Sequence, residues 1–205
     1  NATVGHGLGV APQFLIVKPR STTGSWIVYA TALGSPTLYT VLNATTDPYS
    51  AAPTVWNSTA PTSSVFSIGT ASGVNTSTTT YVAYCFAAVA GYSAFGSYTG
   101  NGSSDGPFVY CGFRLRWLMI KRSSSASVTY GWQMYDTSRQ PYNTASSDPN
   151  LWADTSAAEG TGNYTFDLLS NGFKLRSSGV NENASGDTYI YAAFAENPFT
   201  LSRAR

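Results

Sequence analysis

The chain has 205 residues, of which only 10% are charged, and its formal net charge is +1. That balance excludes a nucleic-acid binder working through a basic face, and an aromatic content of 14% excludes a disordered polymer. No stretch is long and apolar enough for a membrane-spanning helix, so membrane insertion is not expected.

Taken in chain order, residues 1–11 alternate weakly among glycines. His6 is the only histidine. It is expected to be a hydrogen-bonding structural group, because Gly5-His6-Gly7-Leu8-Gly9 lacks the spacing of a phosphate loop and no helix pattern follows. Residues 14–18, closed by Pro19, predict a buried strand, and residues 26–30 a second strand paired with it as a hairpin. Residues 38–42 predict a third strand. Residues 47–61 predict a long loop carrying Tyr49 and Trp56. A strand over 65–68, a polar loop over 73–79 and a strong strand over 81–89 follow. Residues 91–112 read as strands and turns, since a free linker would carry fewer aromatics. Strands are then expected over 117–121, 130–136, 164–169, 173–176 and 189–194, with a short end over 199–201. Between them, residues 141–159 predict a loop carrying Tyr142 and Trp152. No amphipathic helix pattern appears.

The second half repeats the first. Thr80-Tyr81-Val82-Ala83-Tyr84-Cys85-Phe86-Ala87 matches Thr188-Tyr189-Ile190-Tyr191-Ala192-Ala193-Phe194-Ala195, and Asn75 and Asn183 stand equally far upstream. Phe14-Leu15-Ile16-Val17-Lys18 matches Trp117-Leu118-Met119-Ile120-Lys121. Gly24-Ser25-Trp26-Ile27-Val28-Tyr29 matches Gly131-Trp132-Gln133-Met134-Tyr135, and Asp47-Pro48 matches Asp148-Pro149. A period of about 100 residues is that of a small domain, not of a solenoid repeat. The expected fold is all-β: two tandem related β-sandwich units, jelly-roll or lectin-like, packed together with little or no helix. Residues 1–104 form the first and 105–205 the second. Asn1 is not a natural initiator, so the chain is expected to be a piece of a longer protein.

Little in the pattern points to catalysis or metal binding. Cys85 and Cys111 have no neighbouring His or Cys that would make a zinc site. They read as buried free thiols, with a disulfide open if their strands are neighbours. Lys18 with Arg20, Lys121 with Arg122, Arg203 with Arg205, and Arg114 with Arg116 read as solvated strand ends or a polar interface face. The acids Asp47, Asp105, Asp136, Asp148, Asp154, Glu159, Asp167, Glu182, Asp187 and Glu196 fall mostly in turns. A glycosidase needs two carboxylates across the scissile bond, and no pair is singled out. No catalytic residue, metal ligand or cofactor is therefore assigned. Loop aromatics are what a β scaffold offers to sugars, whose apolar faces pack on Trp and Tyr rings. Tyr49, Trp56, Tyr142 and Trp152 are the glycan-binding candidates, weighed against burial in a core or subunit interface. Trp26, Trp117 and Trp132, in predicted strands, are expected in the core. Asn-x-Ser/Thr triplets at Asn1, Asn43, Asn57, Asn75, Asn101, Asn163 and Asn183 arise readily by chance in such a composition.

Several segments carry a resemblance. They are Gly5-His6-Gly7-Leu8-Gly9-Val10-Ala11-Pro12, Phe95-Gly96-Ser97-Tyr98-Thr99-Gly100-Asn101-Gly102, Leu169-Ser170-Asn171-Gly172-Phe173 and Tyr191-Ala192-Ala193-Phe194-Ala195-Glu196-Asn197-Pro198-Phe199. Together they resemble a domain of tail and tail-fibre-like proteins of tailed bacteriophages. The resemblance implies a virion component, in the tail and near host attachment, assembled as a homotrimer with other virion tail proteins and contacting host-surface glycan. A spacer, collar or capsid-decoration module is the structural alternative, and a polysaccharide-degrading tailspike the enzymatic one. The motifs are turns and strands, so no functional residue is carried over from the family.

Overall fold

In a computed structural model, residues 1–45, 52–124, 130–143, 148–161 and 165–198 are described. Tyr49, Asp47-Pro48, the expected end strand over 199–201 and the pair Arg203/Arg205 lie outside them. The described chain is all-β, with antiparallel pairing throughout. It divides into two compact units that meet between Ala87 and Ala88.

The first unit has two sheets. Strands β1 (Ala2–Gly5) and β5 (Val65–Ile68) form one. The other runs in the order β4 (Thr40–Val41), β3 (Ile27–Ala30), β2 (Phe14–Pro19), β6 (Tyr81–Phe86). A single-turn helix, α1 (Pro53–Trp56), starts with proline, whose fixed φ and missing N–H suit a first helical turn. A second, α2 (Ser72–Asn75), precedes β6. Apolar side chains of β2 and β3 meet those of β5 and both helices in one core, including Leu15, Val17, Tyr29, Trp56, Phe66 and Val74.

The second unit has a five-stranded sheet in the order β11 (Leu151–Trp152), β10 (Gln133–Asp136), β9 (Leu115–Arg122), β14 (Thr188–Ala195), β7 (Ser93–Thr99). Its three-stranded sheet runs β12 (Phe166–Leu169), β13 (Gly172–Leu175), β8 (Phe108–Tyr110). Leu118, Ile120, Tyr135 and Tyr189 of the first sheet share a core with Phe166, Phe173 and Leu175 of the second. Strand β7 belongs here because it pairs with β14 along Ser93 to Thr99.

The two units share strand order and register. The order β4-β3-β2-β6 recurs as β11-β10-β9-β14. Leu15 lies opposite Tyr29 and Cys85, and Leu118 lies opposite Tyr135 and Ala193. The loop before the last strand repeats bond by bond. Tyr81 Oη donates to Ser72 O and accepts from the Thr76 N–H; Tyr189 Oη donates to Val180 O and accepts from the Ala184 N–H, each at 2.8 Å. Asn75 Nδ2 donates to Gly69 O at 2.7 Å, and Asn183 Nδ2 to Ser177 O at 2.8 Å.

Several side chains lie elsewhere than expected. Lys121 and Arg122 are buried, not solvated. Lys121 Nζ donates to Tyr130 O, and Arg122 pairs with Asp187 at 2.5 Å while its Nε is buried with no hydrogen-bond partner among the described residues. Trp132 is in the core as expected, whereas Trp26 and Trp117 are half-buried. Cys85 and Cys111 are free and half-buried. His6 accepts the Leu8 N–H at Nδ1 and contacts Thr62 O through Nε2 at 3.0 Å, the structural role expected of it.

Candidate functional site

Of the aromatic candidates, Trp56 lies in the core, the alternative weighed for it. It is 2% exposed, at the end of α1, with its ring edge-on to Tyr29 at 5.8 Å. The hydrophobic effect takes a loop tryptophan into the core wherever the fold leaves room. Tyr142 is 78% exposed. Trp152 is half-buried and lies on the short edge strand β11, opposite Gln133, where a loop was expected. Gly131 permits this placement: a Cβ there would come within 2.7 Å of the Trp152 ring and 2.5 Å of Asp154 Oδ1.

Trp152 forms one wall of a cleft of about 160 Å³ in the second unit, with Gln133, Asp148, Asn150, Asn181 and Glu182 around it. That is below the roughly 300–1,000 Å³ of drug-sized pockets, so the cleft suits one small polar ring. Tyr135 Oη donates to Gln133 Oε1 at its floor. Asn181 Oδ1 is buried with no hydrogen-bond partner among the described residues. Such an atom loses its water without a replacement, which is rare in folded proteins.

Both carboxyls of the cleft are shifted. Burial pushes Asp148 up, against the Phe166 and Thr165 N–H groups that donate to Oδ2 at 2.6 and 2.5 Å. Gln140 Nε2 donates to its Oδ1, so both oxygens are occupied in holding the strand start. Burial also pushes Glu182 up; a bond with Gln133 opposes the shift and the charge of Asp148 adds to it.

The two units part company here. By register, Ile27 and Val41 of the first unit stand where Gln133 and Trp152 stand in the second. The matched loop bonds put Val74 at the place of Glu182: both N–H groups donate to the carbonyl three residues back, Ala71 and Gly179. Ile27, Val41 and Val74 are all buried in their core. The same strand scaffold therefore closes with three apolar residues in one unit and carries Gln, Trp and Glu in the other. Sequence reasoning reached Trp152 alone. The signal for the rest was the apolar-to-polar exchange between aligned repeats.

A family described as Domain of unknown function (DUF7483) matches residues 1–198, and the chain belongs to it. No curated protein and no solved structure matches the chain.

Proposed function

We propose that this member of the DUF7483 family is a non-enzymatic structural module of a tailed-bacteriophage virion, carried in a tail fibre or similar appendage, and that its second unit holds host-surface glycan in the Trp152 cleft. The two units are read as copies from a tandem duplication of a β-sandwich, and a homotrimer with other tail proteins is the assembly this reading carries. The observation that supports glycan binding is the exchange of Ile27, Val41 and Val74 for Gln133, Trp152 and Glu182. Burying polar groups where apolar ones close the same core costs stability, so a retained polar set points to a ligand. A half-buried indole beside amide and carboxyl groups is chemistry for a sugar, with one apolar face and many hydroxyls. Asp148 has both oxygens bound and Glu182 is held by Gln133, so the cleft acids read as hydrogen-bonding groups and not as an acid–base pair.

Glycan-array screening of the full chain, followed by calorimetry on the best ligand, tests the reading. Trp152→Ala is expected to weaken binding at least about tenfold, the loss of roughly 1.4 kcal/mol. Gold-labelled antibody is expected to decorate the tails of intact particles. No retained glycan removes the adhesive role and leaves a spacer or decoration module, and equal binding by Trp152→Ala removes the Trp152 cleft as the binding site.

A further inference from the structure

The Trp152 cleft carries acid that its own walls leave unbalanced. Among the described residues three acids are buried, Asp148, Asp167 and Glu182, all in the second unit. Asp167 pairs with Arg176 at 2.6 Å. Asp148 and Glu182 line the cleft, and neither pairs with a cation among the described residues. No Lys, Arg or His stands among the described residues of the cleft wall. A buried carboxylate without a cation is costly, and hydrogen bonds offset only part of that cost. The first unit has buried Val74 at the place of Glu182, so the scaffold itself does not require an acid there.

The two acids differ in what they can still bind. Asp148 accepts from Thr165 N–H, Phe166 N–H and Gln140 Nε2, so it lends the cleft its charge and no free oxygen. Tyr135 Oη donates to Gln133 Oε1, which leaves the Gln133 amide N–H for Glu182. That amide and the residue's own N–H do not fill the acceptor sites of a carboxylate. Asn181 lines the same cleft, and its Oδ1 is buried without a donor. Asp154 accepts the Trp132 N–H at 2.9 Å through Oδ1, while its Oδ2 is buried without a partner. A Cβ at Gly131 would meet both Asp154 and the Trp152 ring, so this third carboxyl stands close to the indole. The unpartnered buried atoms around Trp152 are therefore acceptors, and they surround the ring type whose face attracts a cation most strongly.

We propose that the cleft selects a sugar bearing a primary ammonium, an amino sugar without an N-acetyl group, with the ammonium bound by Glu182 and Asn181 Oδ1 and the sugar ring resting on Trp152. This rests on the glycan reading above and names the class of sugar. An ammonium brings one charge and three donors, which is what the cleft lacks. Its bonds to a carboxylate are charge-assisted and stronger than those of a hydroxyl. An N-acetyl group removes the charge and adds bulk, in a cleft of about 160 Å³ that suits one ring.

Protonation is coupled to this binding. Around Glu182 stand Asp148, from the segment ahead of β11, and the phenols of Tyr98, Tyr135 and Tyr189. Burial raises the three phenols, so they stay neutral, and the two carboxyls set the pH dependence. Both are raised by burial, so the free cleft takes on its negative charge only as pH climbs past the ordinary carboxyl range, and an ammonium binds more tightly as it does.

The probes are the methyl glycosides of glucosamine, N-acetylglucosamine and glucose, their three galacto counterparts, and methylammonium. Each is titrated into the full chain by calorimetry between about pH 5 and 7, where the amine stays protonated. In the series that binds, the amino sugar is expected to bind at least about tenfold more tightly than its acetylated and neutral counterparts. Its affinity is expected to rise with pH while theirs stays level. Glu182→Gln is expected to bring the amino sugar down to the level of the neutral one and to remove its pH dependence. Trp152→Ala is expected to weaken all three sugars. Equal, Trp152-dependent binding of all three overturns the ammonium site and leaves the glycan reading standing. An amine preference that survives Glu182→Gln overturns the site as assigned. Methylammonium binding as tightly as the amino sugar overturns it too, since the ring then adds nothing. Binding of no sugar overturns both this inference and the reading on which it rests.

Discussion

Glu182 carries a penalty that depends on pH. Burial holds its folded pKa above the ordinary glutamate value of 4.5. Below that value both folded and unfolded chains are protonated and nothing is lost. As pH rises past it, the unfolded chain releases its proton while the folded chain retains it, so stability falls with rising pH until the folded value is passed. Asp148 is raised by burial and acts in the same sense. Asp136 acts oppositely. Burial raises it, but the Arg139 side chain and backbone bonds outweigh that and hold it below 3.8, so its stabilisation is lost only in stronger acid. Thermal unfolding followed between pH 4.5 and 7 is expected to show a midpoint that declines with pH. Glu182→Gln is expected to flatten that decline and to raise the midpoint at pH 7. An unchanged slope would mean that Glu182 ionises freely in the fold.

The loop ahead of β6 and of β14 is the element in which the repeat is clearest. Its Tyr and Asn were visible in the sequence as aligned positions, since a hydrogen-bonded loop fixes side-chain identity as well as polarity. What the alignment did not show is how much more the second unit asks of its asparagine. The buried Asn183 side chain bonds to Ser177 O, Ser103 O and the N–H and Oδ1 of Asn101, whereas the Asn75 side chain bonds to Gly69 O alone among the described residues. Asn183→Ala orphans several buried groups and is expected to destabilise by about 3 kcal/mol, against about 1 kcal/mol for Asn75→Ala. Urea unfolding of the two variants measures the difference, and equal losses would mean that the bonds from Asn183 to Asn101 and Ser103 add no stability. The elements that replaced one another were not legible. Trp56 on α1 covers Tyr29 edge-on, and Phe166 on β12 covers Tyr135 edge-on at 4.7 Å. Their sequences share no pattern, because a core asks for a ring at a place and accepts it from a helix or a strand.

At the scale of the molecule, each unit has its own apolar cluster, and the two clusters share no residue. Each also carries one free thiol, Cys85 in the first and Cys111 in the second. Burial pushes both thiols up, Cys111 to about 12. At pH 8 a thiol with such a pKa is roughly one part in 10,000 thiolate, so Cys111 is expected to resist an aromatic disulfide reagent until its unit opens. Labelling in increasing urea, with Cys85→Ala and Cys111→Ala to assign the signals, is expected to give two separate midpoints. A shared midpoint would show that the chain opens as one cooperative body.

The sequence by itself determined several of the strands and the all-β class. Alternation of apolar residues and turn chemistry act over a few neighbours, and they put β2, β5, β6, β9 and β14 where the pattern expected them. The neutral composition likewise told against a basic nucleic-acid face without reference to any fold. Tertiary structure alone decided what the aromatics do. Trp56 is core and Trp152 is a cleft wall, although both were read as loop residues of matching position. It also decided that β7 belongs to the second unit, and that Lys121 and Arg122 lie inside it. Burial, and the partners that make a buried charge or a polar cleft tolerable, depend on residues far apart in the chain. No local pattern records them.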